Sequence, residues 1–344
     1  MTRALAILAV LGALAGFGPA DTARAADYTM RLHHLSPPVS AASRLFFAPW
    51  VKRVNERSGK RLQIDVYPSM QLGGRPPQLI DQVRDGVVDM VWTLPGYTPG
   101  RFPRLEVFHL PFVHTTTHAT NMALQDFQEM HLQEEFKDYK ILLLHVHAGN
   151  VFIMRNKPLR RLEDFKGLKI RTPHRGGSWF IEAMGATAVG TPIGEVTPLL
   201  SRGVIDGALV PYEIIWPFKM HEMTKYSVDI PGNARVQTAV FFLGMHKKSY
   251  EKLPADLKKV IDDTTGRALA PIAADVWDKA EQPGIDAAKK RGNEFIFLSD
   301  AETDRIRKAS EAAIGRWLAL VKDRGIDGEK VLSDARALLD KHAK

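Results

Sequence analysis

The 344-residue sequence contains no cysteine, which excludes thiol catalysis, disulfide bonds and zinc–thiolate sites. It also lacks a G-x-S-x-G nucleophile turn, the phosphate-binding and dinucleotide-binding glycine patterns, and the H-E-x-x-H zinc motif. After the amino-terminal segment, no stretch reaches the roughly 18 apolar residues that suggest a membrane-spanning helix. We therefore expect a protein that is not an enzyme, needs no cofactor and has no membrane span after export.

Concentrated positive charge is missing as well. The net charge is +8, but the Lys and Arg residues are dispersed along the chain and form only short clusters. Nucleic-acid binding would need basic residues gathered on one element, with aromatic residues between them. We therefore expect no nucleic-acid partner, and we interpret the basic surface as one that attracts small anions.

The amino terminus has the pattern of a secretory signal peptide. Arg3 precedes the apolar run Ala4–Phe17, and small residues then lead to Ala23-Arg24-Ala25. The apolar run is too short to span a membrane comfortably. We expect residues 1–25 to be cleaved off and the protein to be exported, which in a bacterium means a periplasmic location. An uncleaved membrane anchor is the alternative.

The chain after this segment begins with the pattern of an α/β fold. Strands are predicted at 28–35, 62–67 and 87–92, the last as a near-continuous apolar run typical of a parallel strand covered on both faces. Amphipathic helices are predicted between them, at 40–58 and 77–84. The order βαβαβ indicates a sheet flanked by helices.

Later segments indicate a second, similar lobe. A helix end, a glycine and then Val-x-Asp occur at Gly86 and again at Gly203, although a common helix-stop pattern could recur by chance. The apolar run Val236–Met245 predicts a strand that returns to the first lobe. Residues 255–290 predict a helix long enough to cross both lobes, which its two prolines should kink or divide.

One stretch of the second lobe has the chemistry of an anion receptor. The short strand Leu168–Ile170 leads to Arg171, and a Gly-rich turn then enters a helix at Trp179. A guanidinium offers a planar two-pronged donor, and the first turn of a helix favours negative charge. The spacing alone leaves two interpretations open: an anion-binding arginine, or a surface arginine in a βα loop.

Several motifs resemble the substrate-binding subunits of TRAP (tripartite ATP-independent periplasmic) transporters of the dicarboxylate type. They occur in the family's order and cover nearly all of the chain after the signal peptide. They are Gln71-Leu72-Gly73, Gly86-Val87-Val88-Asp89, Arg101-Phe102-Pro103, Leu110-Pro111-Phe112, KGLKIR (166–171), MGA-x-A-V-x-x-P-x-x-E-V-x-x-L (184–199) and GVIDGA (203–208).

This resemblance implies an α/β, two-lobe periplasmic binding protein of the type II-like kind. Each lobe would be a mixed sheet flanked by helices, and a long helix would span both. We assign residues 26–148 and 237–280 to lobe I, and residues 149–236 and 281–344 to lobe II. The resemblance also implies a small organic acid as ligand and delivery to a membrane permease driven by an ion gradient. We expect the protein to be a monomer.

The resemblance also implies that Arg171 pairs with the carboxylate of the ligand. Many family members that bind sialic acid or short dicarboxylates have another arginine on the preceding strand. Here the matching position is Val151, preceded by Asn150, while Arg155 lies four residues further on. This departure argues against a sugar acid or a short dicarboxylate.

An apolar wall with one cation suits a monocarboxylate with a hydrophobic or aromatic body. Eight aromatic residues lie near cleft-facing strand exits, and we expect about three of them to contact the ligand, with Trp92, Tyr97 and Tyr212 preferred because they follow strand ends. The others are Trp179, Phe180, Trp216, Phe241 and Phe242. Our hypothesis is an aromatic acid of the benzoate or cinnamate kind.

Histidines are the remaining candidate ligand contacts, and they also suggest alternative functions. His34 follows the first strand and His174 follows Arg171, so either side chain could hydrogen-bond the ligand. The pairs His145/His147 and His114/His118 could present a metal, which leaves an exported metal-dependent hydrolase as one alternative. A C4-dicarboxylate or keto-acid receptor that uses Arg155 or a histidine is the other. The candidate ligand-binding residues are Arg171, His34, Trp92, Tyr97, Asn150, Val151, His174 and Tyr212.

Overall fold

Two mixed β-sheets, each flanked by helices, form the two lobes of the protein. The computed structural model describes residues 26–232 and 234–343. The expected signal peptide, residues 1–25, lies outside these residues. No helix in the described part of the chain combines the length and hydrophobicity that crossing a membrane requires. The predicted two-lobe α/β architecture is confirmed.

The strands are numbered in chain order. They are β1 (Tyr28–His34), β2 (Leu62–Tyr67), β3 (Met90–Thr93), β4 (Tyr139–Val146), β5 (Val151–Met154), β6 (Lys169–Thr172), β7 (Thr187–Gly190), β8 (Gly207–Val210), β9 (Tyr226–Asp229), β10 (Val240–His246) and β11 (Glu294–Phe297). The first sheet has the order β2-β1-β3-β10-β4, and the second has the order β11-β9-β5-β8-β6-β7. In each sheet a parallel group is joined to antiparallel neighbours.

The helices are also numbered in chain order, and the turn before the first of them, Ala42–Phe47, is π-helical. They are α1 (Ala48–Arg57), α2 (Leu79–Arg84), α3 (Thr117–His131), α4 (Arg175–Ala183), α5 (Val196–Ser201), α6 (Lys247–Glu251), α7 (Ala255–Asp263), α8 (Ala270–Arg291), α9 (Asp300–Lys322) and α10 (Gly328–His342).

The chain crosses between the sheets three times in its strand order. It leaves the first sheet after β4 and enters β5, it returns from β9 to β10, and it passes through α6, α7 and α8 to β11 of the second sheet. The apolar run predicted to return to the first lobe is therefore β10, which pairs antiparallel with β3 and β4. Crossings of this kind are the segments about which two lobes can rotate.

Helix α8 is the long element that contacts both lobes. It packs against α3 and β4 of the first lobe and against the short 3₁₀ turn Tyr212–Ile214 that follows β8 in the second. The predicted helix over 255–290 is divided between α7 and α8; Pro271 lies in the first turn of α8, and Pro283 lies inside it. Of the last two helices, α9 packs on α4 and α10 packs on α3.

Two element boundaries differ from the sequence-based expectation. Strand β3 begins only at Met90, because the exposed Val87 still belongs to the turn that ends α2 and donates its N–H to Gln82. Helix α4 begins at Arg175, four residues before the expected Trp179. Its first turn is capped by His174, whose Nδ1 accepts the N–H of Gly177 at 2.9 Å. Strands β7 and β9 were not expected from the sequence.

Gly284 allows α8 to approach the turn Tyr212–Ile214 at very short range. A Cβ atom at this position would lie 1.8 Å from the carbonyl oxygen of Tyr212, which is far inside any tolerable contact. The same turn is tied to α8 by the N–H of Tyr212, which donates to the Glu281 carboxylate at 3.1 Å. The position of this turn relative to the long helix therefore depends on a glycine.

We predict that Gly284→Ala destabilises the ligand-free protein by about 1–3 kcal/mol, because the added methyl group forces the turn and the helix apart. The measurement is urea denaturation followed by circular dichroism. Gly315→Ala is the matched control: Gly315 is exposed on α9, where a Cβ atom meets nothing within 4 Å. Removing a mid-helix glycine there should stabilise the protein by about 0.5–1 kcal/mol. Equal stability of Gly284→Ala and the wild type would contradict the close approach.

Candidate functional site

A cavity between the lobes lies beyond the carboxyl ends of β1, β3, β6 and β8, which is where α/β folds bind ligands. It has an empty volume of about 470 Å³, including its mouth. Its walls are mainly apolar and carry a few polar groups. They are formed by Leu35, Ser36, Ala42, Trp92, Leu94, Tyr97, His147, Asn150, Arg171, Pro173, Ile193, Pro211, Glu213, Ile214, Phe218, Ala239 and Phe241.

Arg171 is the cation of this cavity wall, and it is only 2% exposed. It lies in β6 between β7 and β8. Its Nε donates to the carbonyl oxygen of Thr191 at 2.9 Å, and its Nη1 donates to that of Leu209 at 3.4 Å. Its Nη2 has no hydrogen-bond partner within residues 26–232 and 234–343. The neighbouring strands therefore hold the guanidinium in place and leave one arm for another acceptor.

The cavity places Arg171 close to a phenol and within electrostatic range of one carboxylate, that of Glu195. Burial lowers the pKa of this guanidinium, while Tyr97 and Glu195 oppose that shift. A guanidinium nevertheless stays protonated in proteins. An anionic ligand would therefore find a fixed positive charge inside an apolar cavity, where charge–charge attraction is stronger than in water.

Tyr97 reaches Arg171 from the other lobe. It ends a short 3₁₀ turn after β3, and its hydroxyl oxygen accepts the N–H of Ile193 at 3.2 Å. Burial raises the pKa of Tyr97, and the nearby Arg171 guanidinium opposes that rise. The neutral phenol thus joins the two lobes directly beside the cation.

Asn150 supplies a second unpaired polar group. It precedes β5 in the crossing from the first sheet to the second, is 1% exposed, and donates its backbone N–H to Gln237 at 2.7 Å. Neither its side-chain nitrogen nor its side-chain oxygen has a partner among the described residues. Buried amides are ordinarily hydrogen-bonded, so this one is available to whatever occupies the cavity.

The apolar wall is built on a stacked pair of rings. Trp92 and Phe241 have ring centroids 4.4 Å apart and planes inclined by 5°. The indole N–H of Trp92 donates to His145 Nε2 at 2.9 Å. Since that hydrogen bond satisfies its polar atom, Trp92 presents an apolar surface to the cavity.

The structure brings four of the eight candidate residues into the cavity wall: Arg171, Trp92, Tyr97 and Asn150. Three of the eight candidate aromatic residues also line it, and they are Trp92, Tyr97 and Phe241. Tyr212, preferred from the sequence, is absent from the wall. Its ring packs against the Arg235 guanidinium, 5.1 Å from the ring centroid, and against Phe295.

The remaining candidates, His34, Val151 and His174, also lie outside the wall. His34 Nδ1 accepts the N–H of Ser36 at 3.2 Å, and burial lowers the pKa of His34 to about 3, so its ring is neutral. The side chain of Val151 belongs to the hydrophobic core. His174 caps α4, and its Nε2 lies 3.0 Å from the carbonyl oxygen of Thr238.

Several wall residues were not expected from the sequence to contact the ligand. The most unexpected are His147, which the sequence suggests only as a metal ligand and which directly follows β4, and Glu213, in the turn after β8. One feature of the sequence points to Glu213. It is a carboxylate in an otherwise apolar segment that follows β8, the strand paired with β6. Ile193, Ile214 and Phe218 gave no signal, since apolar residues in loops are ordinarily assigned to the core.

Three of the four histidines considered as metal ligands take part in other hydrogen bonds. His145 accepts from Trp92, while His114 Nδ1 lies 2.9 Å from Thr120 Oγ1. His147 Nε2 accepts the N–H of Ala239 at 3.2 Å. In the described part of the chain, no group of three or more His, Asp or Glu side chains could hold a metal ion.

Comparisons with known proteins agree with this geometry. The model of the bacterial extracellular solute-binding protein family 7 matches residues 36–319. A marine metagenome TRAP solute-binding protein specific for aromatic acid ligands, crystallised with 3-hydroxybenzoate, is 40% identical, with a TM-score of 0.90 over 92% of this chain and 99% of that chain.

A second TRAP solute-binding protein, from Rhodoferax ferrireducens and in complex with copurified benzoate, is 38% identical. It has a TM-score of 0.89 over 92% of this chain and 98% of that chain. The outer membrane transporter protein TsaT of Comamonas testosteroni is 24% identical over 91% of this chain and 92% of its own length. The chain belongs to the bacterial extracellular solute-binding proteins, family 7, and is a member of the TRAP solute-binding proteins.

Proposed function

We propose that this protein binds an aromatic monocarboxylate of the benzoate or cinnamate kind and delivers it to a TRAP membrane permease. The observation that carries the proposal is a buried guanidinium, Arg171, whose unpaired Nη2 belongs to a cavity with stacked aromatic walls. The binding of 3-hydroxybenzoate and benzoate by two similar proteins supports the same ligand class.

The ligand carboxylate accepts a charge-assisted hydrogen bond from Arg171 Nη2 and a second hydrogen bond from the amide nitrogen of Asn150. The ring lies against Trp92 and Phe241, where loss of apolar surface from water and ring stacking contribute to affinity. Closure of the lobes by rotation about the segments that cross between the sheets removes water from the ion pair and strengthens it.

The protein works as a receptor in the periplasm after its signal peptide, residues 1–25, has been removed. It acts as a monomer, without catalysis and without a metal or other cofactor. Lobe I comprises residues 26–148 and 237–280, and lobe II comprises residues 149–236 and 281–344, with the last helix of lobe II, α10, packed on α3 of lobe I. The surface formed when the lobes close is the one that the permease recognises.

A C4-dicarboxylate would need a second cation. Arg155, the candidate for that role, follows β5 and donates its N–H to Asp206, and its guanidinium lies against Gly203, outside the cavity wall. Since Arg171 is the cation that lines the cavity, a second carboxylate would be buried without a charge partner. This cost favours a monocarboxylate.

We predict that benzoate and cinnamate raise the melting temperature of the protein, whereas succinate and fumarate do not. A ligand at about one hundred times its dissociation constant stabilises the folded state by about 2.7 kcal/mol. A thermal-shift screen at matched concentrations is the measurement. Stabilisation by the short dicarboxylates alone would reject the aromatic ligand.

We predict that Arg171→Ala weakens benzoate binding by about 2–5 kcal/mol, the range for truncating one partner of a buried charge pair. Isothermal titration calorimetry is the measurement. Arg155→Ala is the matched control on the same sheet and should leave the affinity unchanged. Arg171→Lys keeps the positive charge, so its comparison with Arg171→Ala distinguishes loss of the ion pair from loss of folding. Unchanged benzoate affinity in Arg171→Ala would remove this residue from the site.

We predict that Asn150→Ala weakens benzoate binding by about 1–3 kcal/mol, because one buried hydrogen bond to the carboxylate is lost. Asn150→Asp should weaken it further, since two carboxylates would then face each other. The melting temperature of the ligand-free Asn150→Ala protein should not fall, because the amide has no partner in the described protein. A variant that is unstable without ligand but binds normally would assign Asn150 a purely structural role.

A further inference from the structure

Glu213 is an acidic group in the wall of a cavity that we propose to bind an anion. It lies in the turn Tyr212–Ile214, is 7% exposed, and has the apolar wall residues Pro211 and Ile214 on either side in the sequence. A carboxylate in this place would repel the carboxylate of the ligand. Whether Glu213 repels or binds the ligand therefore depends on its protonation state and on the part of the ligand that it contacts.

The turn that carries Glu213 is held firmly against α8. The N–H of Tyr212 donates to Glu281, and Gly284 permits the close backbone contact described above. The indole of Trp277, also on α8, lies close enough to the Glu213 carboxyl to lower its pKa. A side chain whose backbone is anchored in this way has a defined position from which its carboxyl can contact a ligand.

The neutral, protonated form of Glu213 is favoured at neutral pH. Burial raises its pKa to about 8, and the neighbouring Glu281 adds to the rise, while the Trp277 hydrogen bond opposes it. Glu281 has its own cation, since Arg235 Nη2 donates to it at 2.8 Å. The protonated Glu213 carboxyl carries no charge, and it offers one O–H donor and one acceptor oxygen.

Arg171 and Glu213 lie in adjacent parts of the second sheet. Arg171 is paired with Ala208 of β8, and Glu213 follows the end of that strand. The cavity thus has one polar group suited to a carboxylate and another suited to a neutral hydroxyl or carbonyl group, with aromatic rings in its walls. A ligand that satisfies both must carry a second polar substituent.

We propose that the Glu213 carboxyl hydrogen-bonds a ring hydroxyl of the bound aromatic acid, so that the cavity selects hydroxylated aromatic acids over unsubstituted ones. This inference rests on the proposed function and adds to it a residue that determines specificity. Leaving the carboxyl unpaired beside an unsubstituted ring has a desolvation cost, whereas a ring hydroxyl can donate to it or accept from it.

The test compares affinities for benzoate, 3-hydroxybenzoate and 4-hydroxybenzoate by isothermal titration calorimetry. The wild type should bind at least one hydroxybenzoate about tenfold more tightly than benzoate, which corresponds to about 1.4 kcal/mol. Glu213→Leu should reduce this ratio to about one, because the hydroxyl loses its partner. Glu213→Gln keeps a donor and an acceptor at this position and should retain the preference.

Two results would overturn the assignment while leaving the proposed function intact. One is wild-type protein that binds benzoate as tightly as both hydroxybenzoates, and the other is a Glu213→Leu variant that retains the wild-type ratio. If none of the three acids binds the wild type, the proposed function itself fails.

A pH series provides a second measurement that does not depend on the folding of Glu213→Leu. Between about pH 7 and pH 9 the wild type should lose about tenfold in benzoate affinity, because Glu213 loses its proton and adds a negative charge to an anion-binding cavity. Glu213→Gln should not show this loss. Equal pH dependence of the two proteins would overturn the inference.

The Glu213→Gln variant is needed as a control because other ionisable groups surround Glu213. Glu281 interacts with Glu213, while Arg235 and Asp229 interact in turn with Glu281, and Arg171, Tyr97 and His147 share the cavity. Burial holds the pKa of His147 well below its usual value and raises that of Tyr97, so both stay neutral in this range. Glu281 has a raised pKa of about 7 and is present in both proteins.

Discussion

The structure depends on a cation that is buried without a matching anion. The free energy required to remove a guanidinium from water is large, and neutral carbonyl groups recover only part of it. In this protein the carbonyl oxygens of Thr191 and Leu209 bind two arms of Arg171, and the third arm stays unpaired among the described residues. In the proposed complex a ligand carboxylate pairs with this third arm, so that a mainly apolar cavity selects for a charge.

Contacts between the lobes surround this cation. Tyr97 of the first lobe accepts from Ile193 of the second, and Arg175 on α4 donates to Glu106 of the first lobe at 2.6 Å. The structure therefore describes the lobes in contact across the cavity. Closure excludes water from the cavity, and attraction between opposite charges is greater when water is excluded.

Neutral histidines support the segments near the crossings. Val240 donates its N–H to His109 Nε2 at 3.2 Å, and Ala239 donates to His147 at the same distance. Burial lowers the pKa of both histidines, so each ring keeps a free nitrogen lone pair that can accept from the backbone. His147, which suggested a metal site in the sequence, satisfies a main-chain donor where the chain passes from one lobe to the other.

The sequence alone determined the periodic features: the two lobes, the return of β10 to the first sheet and the long helix. These follow from local patterns, because alternation, helical spacing and strand ends are properties of short segments. The role of Arg171 follows from the family resemblance and stays a prediction. Only the tertiary structure decided which side chains share one cavity. Asn150 and Trp92 reach it, whereas Tyr212 packs against Arg235, and Glu213, one residue further along, faces the cavity instead. Which of these side chains reach the cavity depends on how α8 and the two sheets pack together. That packing brings together residues that are too far apart in the chain for any local pattern to relate them.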